Sequence, residues 1–393
     1  MLGYTLAQVG AYVAFVPLFN IVLPLQAEQL APGQGALLLS QVALWGALAA
    51  GATNFLAGLL SDRASGRWGR RRPWIVGGAL ATAGACLIIL IAPGPSSLLA
   101  AVVLFQVALN TMFGPLNAVL PDRVPDRQKG LVSAMIGLGF PLATLFAALI
   151  VAVVLSDQST RFLVIAIAVV VLILPFGLSL REPVREHGSQ ATNLSFGALR
   201  DSDFLMAFVS RLLVQVAITL NVLYLLFYLQ QQTDVEIRFP HLRTEAVLGW
   251  LMAGATVASL IVGFVGGLLS DRFARRKVFV VAGALMMSGG ALLMIVAPSW
   301  PGPLVAQLIF GAGLGLYSTV DVALVAQVLP CRDSAGRDLG IMNLAITLPQ
   351  VGAPLLGLTL ISLSSQAMPW IFAAAAGSAL TGGIAVAHIR RIR

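Results

Sequence analysis

Charge is scarce in this 393-residue chain. Asp, Glu, Lys and Arg together make up only 10% of it, while 58% is hydrophobic and the mean hydropathy is +0.92. Soluble domains carry roughly 25% charged residues, so water is excluded as the main solvent. Cysteine is nearly absent: Cys86 lies inside an apolar stretch and Cys331 in a polar one, which excludes a disulfide framework. The three histidines, His187, His241 and His388, fall in loops or near a terminus. With no histidine in any apolar stretch, metal or haem ligation inside a membrane is excluded and no cofactor is expected. Paired acids and a Ser/His/Asp set are also missing from the apolar stretches, so an enzyme is not expected. Gly311, Gly313 and Gly315 sit within an apolar run and read as helix packing, not as a phosphate-binding loop.

Long apolar runs are what the chain has instead. Twelve are long enough to cross a bilayer as helices. Six lie near 3–26, 35–60, 74–92, 97–120, 130–155 and 162–180, and six near 204–229, 245–269, 278–297, 302–329, 338–363 and 369–388. A β-barrel would show short alternating segments, and a bilayer admits only those two spanning solutions. The fold class expected is therefore an all-α membrane protein of twelve transmembrane helices. The first run lacks a basic leading region and is too long for a cleaved signal, so it reads as the first span.

The halves are copies of one unit. Gly58-Leu59-Leu60-Ser61-Asp62-Arg63 returns unchanged as Gly267-Leu268-Leu269-Ser270-Asp271-Arg272, 209 positions later. Each copy follows an apolar run and precedes a basic cluster: Arg67, Arg70, Arg71 and Arg72, then Arg275, Arg276 and Lys277. Matching flanks make duplication a better account than chance. The expected organisation is two pseudo-symmetric six-helix bundles, 1–181 and 204–393, joined by a polar linker over 182–203 that contains Glu182, Glu186 and Asn193.

Twenty of the 24 basic residues fall in loops after even-numbered spans or at the C-terminus. The exceptions are Arg161, Arg238 and Arg243 in loops after odd-numbered spans, and Arg211 inside a span. The positive-inside rule then predicts both termini in the cytoplasm and an inner (plasma) membrane location. The net charge of +8 follows from these short loops, so the partner is a lipid bilayer and not nucleic acid.

Amides and charges are costly in hydrocarbon, so spans that carry them should face a cavity or each other. Spans three, six, nine and twelve carry none between their ends. Span four carries Gln106, Asn110, Phe113 and Asn117 on one helical face, and span one repeats the spacing with Gln8, Tyr12, Phe15 and Phe19, with Asn20 adjacent. Span seven has Arg211, Gln215, Asn221, Tyr224 and Tyr228, span ten Tyr317 and Asp321, span eleven Asn343, Thr347 and Gln350. Isolated amides serve as glue between helices. A stripe recurring in both halves instead predicts a polar path walled by both repeats, with Tyr12, Asn20, Gln106, Asn110, Asn117, Gln215, Asn221, Tyr224, Tyr317, Asn343 and Gln350 as candidate substrate contacts.

Arg211 and Asp321 are the clearly embedded charges. Either alone costs about 2.5–3.5 kcal/mol on the insertion scale, and both lie at matching depths from the basic side. A permanent bridge between spans seven and ten, a substrate or coupling site, and no contact at all are the open readings. In the second, Asp321 is a proton or ligand site whose occupancy loosens Arg211. Spans one to six hold no acid away from their ends, so Asp321 would carry a coupled proton alone.

Gly58 to Pro73 (GLLSDRASGRWGRRRP) resembles the loop motif between spans two and three of the major facilitator superfamily. Its long form, with Trp68-Gly69 before the arginine triplet and Pro73, is similar to the glycoside-pentoside-hexuronide cation symporters and sucrose-type transporters. Pro121-Asp122-Arg123-Val124-Pro125-Asp126-Arg127, Val320 to Leu324 and Pro349-Gln350 extend the likeness along the chain. The resemblance implies a secondary active transporter for a small polar solute, a sugar or glycoside favoured, working by alternating access with a proton or sodium ion as candidate coupling ion, and a monomer. It also implies a cytoplasmic gate at Gly58, Asp62, Arg63, Arg70, Arg71, Asp122, Gly267, Asp271 and Arg272, in which Asp62 and Asp271 face the N-terminal ends of spans eleven and five, where the helix dipole is positive. Efflux of hydrophobic compounds is the alternative within transport, and a non-transporting assembly or pigment-delivery factor the alternative outside it. If the gate reading holds, Asp62→Ala shifts the protein toward an inward-facing state, measured as longer spin-label distances across the cytoplasmic side; unchanged distances count against it.

Overall fold

A computed structural model describes residues 2–63, 69–120, 124, 126–180, 200–273, 275–328, 335–364 and 366–390. Among these, twelve helices are long and apolar enough to cross a membrane and no strand occurs. We number them α1 (Leu2–Leu30), α2 (Gly35–Gly58), α3 (Arg72–Leu90), α4 (Pro95–Asn117), α5 (Met135–Val154), α6 (Gln158–Ser179), α7 (Ser202–Gln232), α8 (Thr244–Phe273), α9 (Arg276–Val296), α10 (Gly302–Val325), α11 (Gly340–Leu363) and α12 (Ala367–Ala387). The chain is an integral membrane protein with an all-α fold. Two compact units divide it, Met1–Gln190 and Ala191–Arg393. Of the expected linker over 182–203, all but the last few residues lie outside the described residues. Cys331 lies outside them as well, and Cys86 is buried.

Local chemistry starts the helices where the pattern ends a loop. Asp201 caps α7 by accepting from the amides of Asp203 and Phe204, both at 3.1 Å. Asp157 caps α6 from the Thr160 amide at 2.7 Å, and that bond, with a second from the Thr160 hydroxyl, holds the exposed carboxyl below its ordinary range. Before α4, Gly94 donates its amide to Ser97, and Pro95 occupies the first turn, where no backbone donor is missed. Gly69 has a φ of +91°, the left-handed region that a residue with a Cβ rarely adopts, just ahead of α3.

The packing order is the same in both units. In the first, α1 packs on α5 and α6, α3 on α4 and α6, and α2 on α4. In the second, α7 packs on α11 and α12, α9 on α10 and α12, and α8 on α10. The duplication read from six residues is therefore a duplication of the whole bundle. Large apolar side chains such as Trp45, Phe55, Phe264 and Trp370 are exposed, as expected of surfaces wetted by lipid.

Glycines decide how close α10 comes to its neighbours. A Cβ on Gly311 would run into the Ala255 carbonyl and one on Gly315 into the Ser259 carbonyl, both on α8. Gly313 faces the other way, where a Cβ would stand 2.8 Å from the Met287 amide nitrogen of α9. The alternating glycines thus wedge α10 between α8 and α9, the small-residue packing that membranes favour where no hydrophobic effect separates helix from lipid. The first unit does the same with Gly78 of α3, whose Cβ would stand 2.9 Å from the Met112 amide nitrogen of α4. Gly311→Ala and Gly315→Ala are expected to cost about 1–3 kcal/mol each by overpacking, read as a lower Tm of the purified protein. Gly77→Ala and Gly84→Ala, where the Cβ enters open space, are expected to leave Tm unchanged or raise it.

Candidate functional site

Polar groups buried among apolar helices have few places to go, so their partners define the sites. In the second unit Arg211 Nε lies 3.0 Å from Asp321 Oδ2, with side chains 17% and 5% exposed. The two embedded charges therefore meet, bridging α7 and α10. At an effective dielectric near 20 such an attraction is about 4–5 kcal/mol, comparable with the desolvation it offsets. Ser210 and Tyr317 flank the pair. Both hydroxyl oxygens are buried, and the Tyr317 hydroxyl lies against Ser210 and the Asp321 carboxylate.

Further along the same two helices, Asn221 and Gln307 exchange side-chain hydrogen bonds, Gln307 Nε2 to Asn221 Oδ1 at 2.9 Å and Asn221 Nδ2 to Gln307 Oε1 at 3.2 Å. Both amides are thereby satisfied in an apolar setting. Tyr228 donates to the Met294 carbonyl of α9 and stacks obliquely on Phe372 of α12. Tyr224 is fully buried against Gly357 of α11, where a Cβ would collide with its hydroxyl. Gln215 is half-buried, whereas Asn343 and Gln350 lie exposed on α11.

The first unit bridges the equivalent helices, α1 and α4, without charge. Gln8 Nε2 donates to Asn117 Oδ1 at 3.0 Å and to Tyr4 Oη at 3.1 Å, and Tyr4 donates to the Leu116 carbonyl at 3.1 Å. Gln8 Oε1 is buried without a partner among the described residues. Asn110 Nδ2 bonds the Gln106 carbonyl and side chain, and Asn54 of α2 donates to Asn110 Oδ1 at 3.2 Å. Tyr12 meets Phe113 and Phe140 edge-on at 5.7 and 5.9 Å. Asn20 is buried in a π-helical turn, Leu18–Val22, within α1.

Sequence reasoning missed several of these groups. Asn54 and Gln307 are two of them, and Gln307 lies four turns before Asp321 on one face of α10, a spacing that could have found it. Arg161 requires a correction. It was expected in a loop, yet it lies in the first turn of α6, 2% exposed, donating through Nε and Nη2 to the Leu155 carbonyl and through Nη1 to Gln158. Those acceptors make burial of the guanidinium tolerable.

The basic end of the second unit is held by the repeated motif. Asp271 pairs with Arg276 at 3.5 Å, Arg276 Nη1 donates to the Ala323 carbonyl at 3.0 Å, and Lys277 Nζ donates to the Ile389 carbonyl at 2.9 Å. Asp271 and Arg272 are exposed, and Gly267 packs on Thr319. In the first copy Gly58 faces open space, Arg70 is half-buried and Arg71 buried. The side chains of Asp62 and Arg63, and Asp122 entirely, lie outside the described residues.

Two pseudo-symmetric bundles of six apolar helices, each with a polar bridge from its first helix to its fourth, describe a family. The Major Facilitator Superfamily profile matches residues 1–244 and 204–393, and the chain belongs to that superfamily. Among curated proteins it is 32% identical over 130 residues to a multidrug resistance protein B homolog of Mycobacterium tuberculosis, covering 33% of this chain and 23% of that protein. It is 31% identical over 84 residues to an arabinose-proton symporter of Bacillus subtilis, covering 20% and 18%. The chain thus spans less than a quarter of the length of these relatives. Among solved structures, a peptide transporter bound to sulfate superposes with a TM-score of 0.75 at 13% identity, covering 98% of this chain and 93% of that one. A bacterial homolog of the human lysosomal transporter Spinster, inward-facing and unoccupied, gives 0.70 at 13% identity, covering 98% and 94%. At such identities the likeness is one of fold.

The ion pair makes its own prediction. Arg211→Ala or Asp321→Ala alone strands a buried charge and is expected to cost about 3–5 kcal/mol. The double variant is expected to cost less than the sum of the two, measured by thermal unfolding in detergent; strict additivity would show that the pair does not couple.

Proposed function

We propose that this chain is a secondary active transporter that moves a small polar solute, with a sugar or glycoside favoured, by alternating access, and that Asp321 is its proton-coupling group. The observation that carries the reading is the Arg211–Asp321 pair, an ion pair buried between α7 and α10 beside the buried hydroxyls of Ser210 and Tyr317. A buried charge is retained at a cost in hydrocarbon, and a carboxylate whose partner can leave is suited to exchange a proton for that partner. Gln8 Oε1, Ser210 Oγ and Tyr317 Oη are acceptors or donors that a hydroxyl-rich solute satisfies in a state that exposes them. The amides of Gln106, Asn110, Asn117 and Asn54 extend the same chemistry. The arabinose-proton symporter among the relatives supports a sugar and a proton, as does the likeness of the first loop motif to the glycoside-pentoside-hexuronide and sucrose-type group.

The positive-inside pattern supports cytoplasmic termini, with the two motif copies as gate elements on that face of an inner membrane; a monomer is the working unit in this reading. Efflux of apolar compounds is the second reading, favoured by the multidrug resistance homolog, whose match covers more of this chain.

Proteoliposomes separate the two. Under an imposed proton gradient, uptake of radiolabelled arabinose and disaccharides is expected in the wild type, and Asp321→Asn is expected to lose gradient-driven accumulation while its solute exchange persists. Wild-type accumulation by Asp321→Asn with unchanged pH dependence would remove Asp321 from coupling, and resistance to apolar drugs without sugar uptake would favour efflux.

A further inference from the structure

The Arg211–Asp321 pair closes a circuit of polar contacts at the basic end of the second unit. From Asp321, α10 runs two residues to Ala323, whose carbonyl accepts from Arg276 Nη1 at 3.0 Å. The next residue, Lys277, donates to the Ile389 carbonyl at 2.9 Å, just beyond α12. The next amide, that of Arg390, donates to Asp203 Oδ1 at 3.0 Å. Asp203 lies in the first turn of α7, about 12 Å before Arg211 along the same helix, and Arg211 returns to Asp321 at 3.0 Å.

We infer that Arg276 and Lys277, which follow the second Gly-Leu-Leu-Ser-Asp-Arg copy, are positioning residues that set the spacing of α7 and α10 and thereby bring Arg211 onto Asp321. α7 and α10 touch directly over few residues compared with the contacts α7 makes to α11 and α12 and α10 makes to α8 and α9. Their separation is therefore set through intermediaries. Arg276 holds α10 and Lys277 holds the end of α12, and α12 in turn packs along α7 and meets its start through Asp203. Adjacent on one backbone, the two cations act as a yoke. Coulomb attraction halves when separation doubles, so a small relaxation of the yoke weakens the pair without breaking any bond to it. Asp271, exposed and 3.5 Å from Arg276, adds orientation more than energy. The motif's basic tail is thus assigned a task inside its own unit, at the embedded ion pair.

The test needs no solute, so its failure and that of the transport reading are distinguishable. The Tm of the full chain in nanodiscs is measured for wild type, Arg211→Ala, Asp321→Ala and the double variant, and the non-additive part of the Tm shift is taken as the strength of the pair. The four are repeated in Arg276→Met and Lys277→Met backgrounds, which keep side-chain length and remove the donors. The non-additive shift is expected to fall by at least half in each, and to return in Arg276→Lys, which restores a donor. A lower Tm for all four proteins with the non-additive shift undiminished would overturn the inference, because it would make the contacts merely structural. Should Arg276→Met fail to fold, Lys277→Met decides alone: a wild-type non-additive shift there overturns the yoke, and a halved one supports it.

Discussion

A polar group left unpaired in hydrocarbon costs more than almost any single contact can return. That constraint organises this molecule. It places Asn221 against Gln307, Gln8 against Asn117, Arg161 against the Leu155 carbonyl and Arg211 against Asp321. Water would have relaxed every one of these requirements, because each group could have stayed hydrated. In a chain with 10% charged residues, the few that are buried each find a partner, a charge for Asp321 and backbone or amide groups for Arg161 and Asp203.

The two units answer the constraint differently at the same place. Each bridges its first helix to its fourth near the basic end, the first with a glutamine, a tyrosine and an asparagine, the second with an ion pair. Neutral bridges exchange one hydrogen-bonding partner for another at modest cost. Removing one partner of a buried charged bridge costs more, about 3–5 kcal/mol, because a charge is left uncompensated. Duplication supplied two equal frames, and they differ at this corner, where one carries a neutral bridge and the other an ion pair. Around that corner the glycines of α10 fix helix spacing from one side, and Arg276 and Lys277 hold it from the other.

Much of the fold was legible in the chain. Twelve apolar runs correspond to twelve helices because a long continuous apolar segment satisfies its backbone within itself only as a helix, a barrel needing short alternating strands. The alternating glycines of α10 read correctly as packing, and the matched depth of Arg211 and Asp321 anticipated their contact. The stripe on α4 was legible too, but its partners were not. Asn54 carried no periodic signal because its partner, Asn110, is 56 residues away. Arg161 looked like a loop residue because its acceptors are carbonyls and amides, which any sequence supplies and none advertises. Tyr12, a candidate substrate contact, meets Phe113 and Phe140 edge-on, neighbours of which only Phe113 belongs to a stripe.

The repeated Gly-Leu-Leu-Ser-Asp-Arg motif shows where the division falls. By itself the sequence determined that the chain is duplicated, that its solvent is lipid and that its charges gather at one end, since hydropathy, periodicity and charge are local sums over neighbouring residues. Only the tertiary structure decided that Arg276 would reach Ala323, that Lys277 would reach the end of α12, and that Asn221 would choose Gln307. Each of those contacts joins helices whose proximity is set by packing over the whole bundle, and backbone carbonyls leave no trace in the side-chain code.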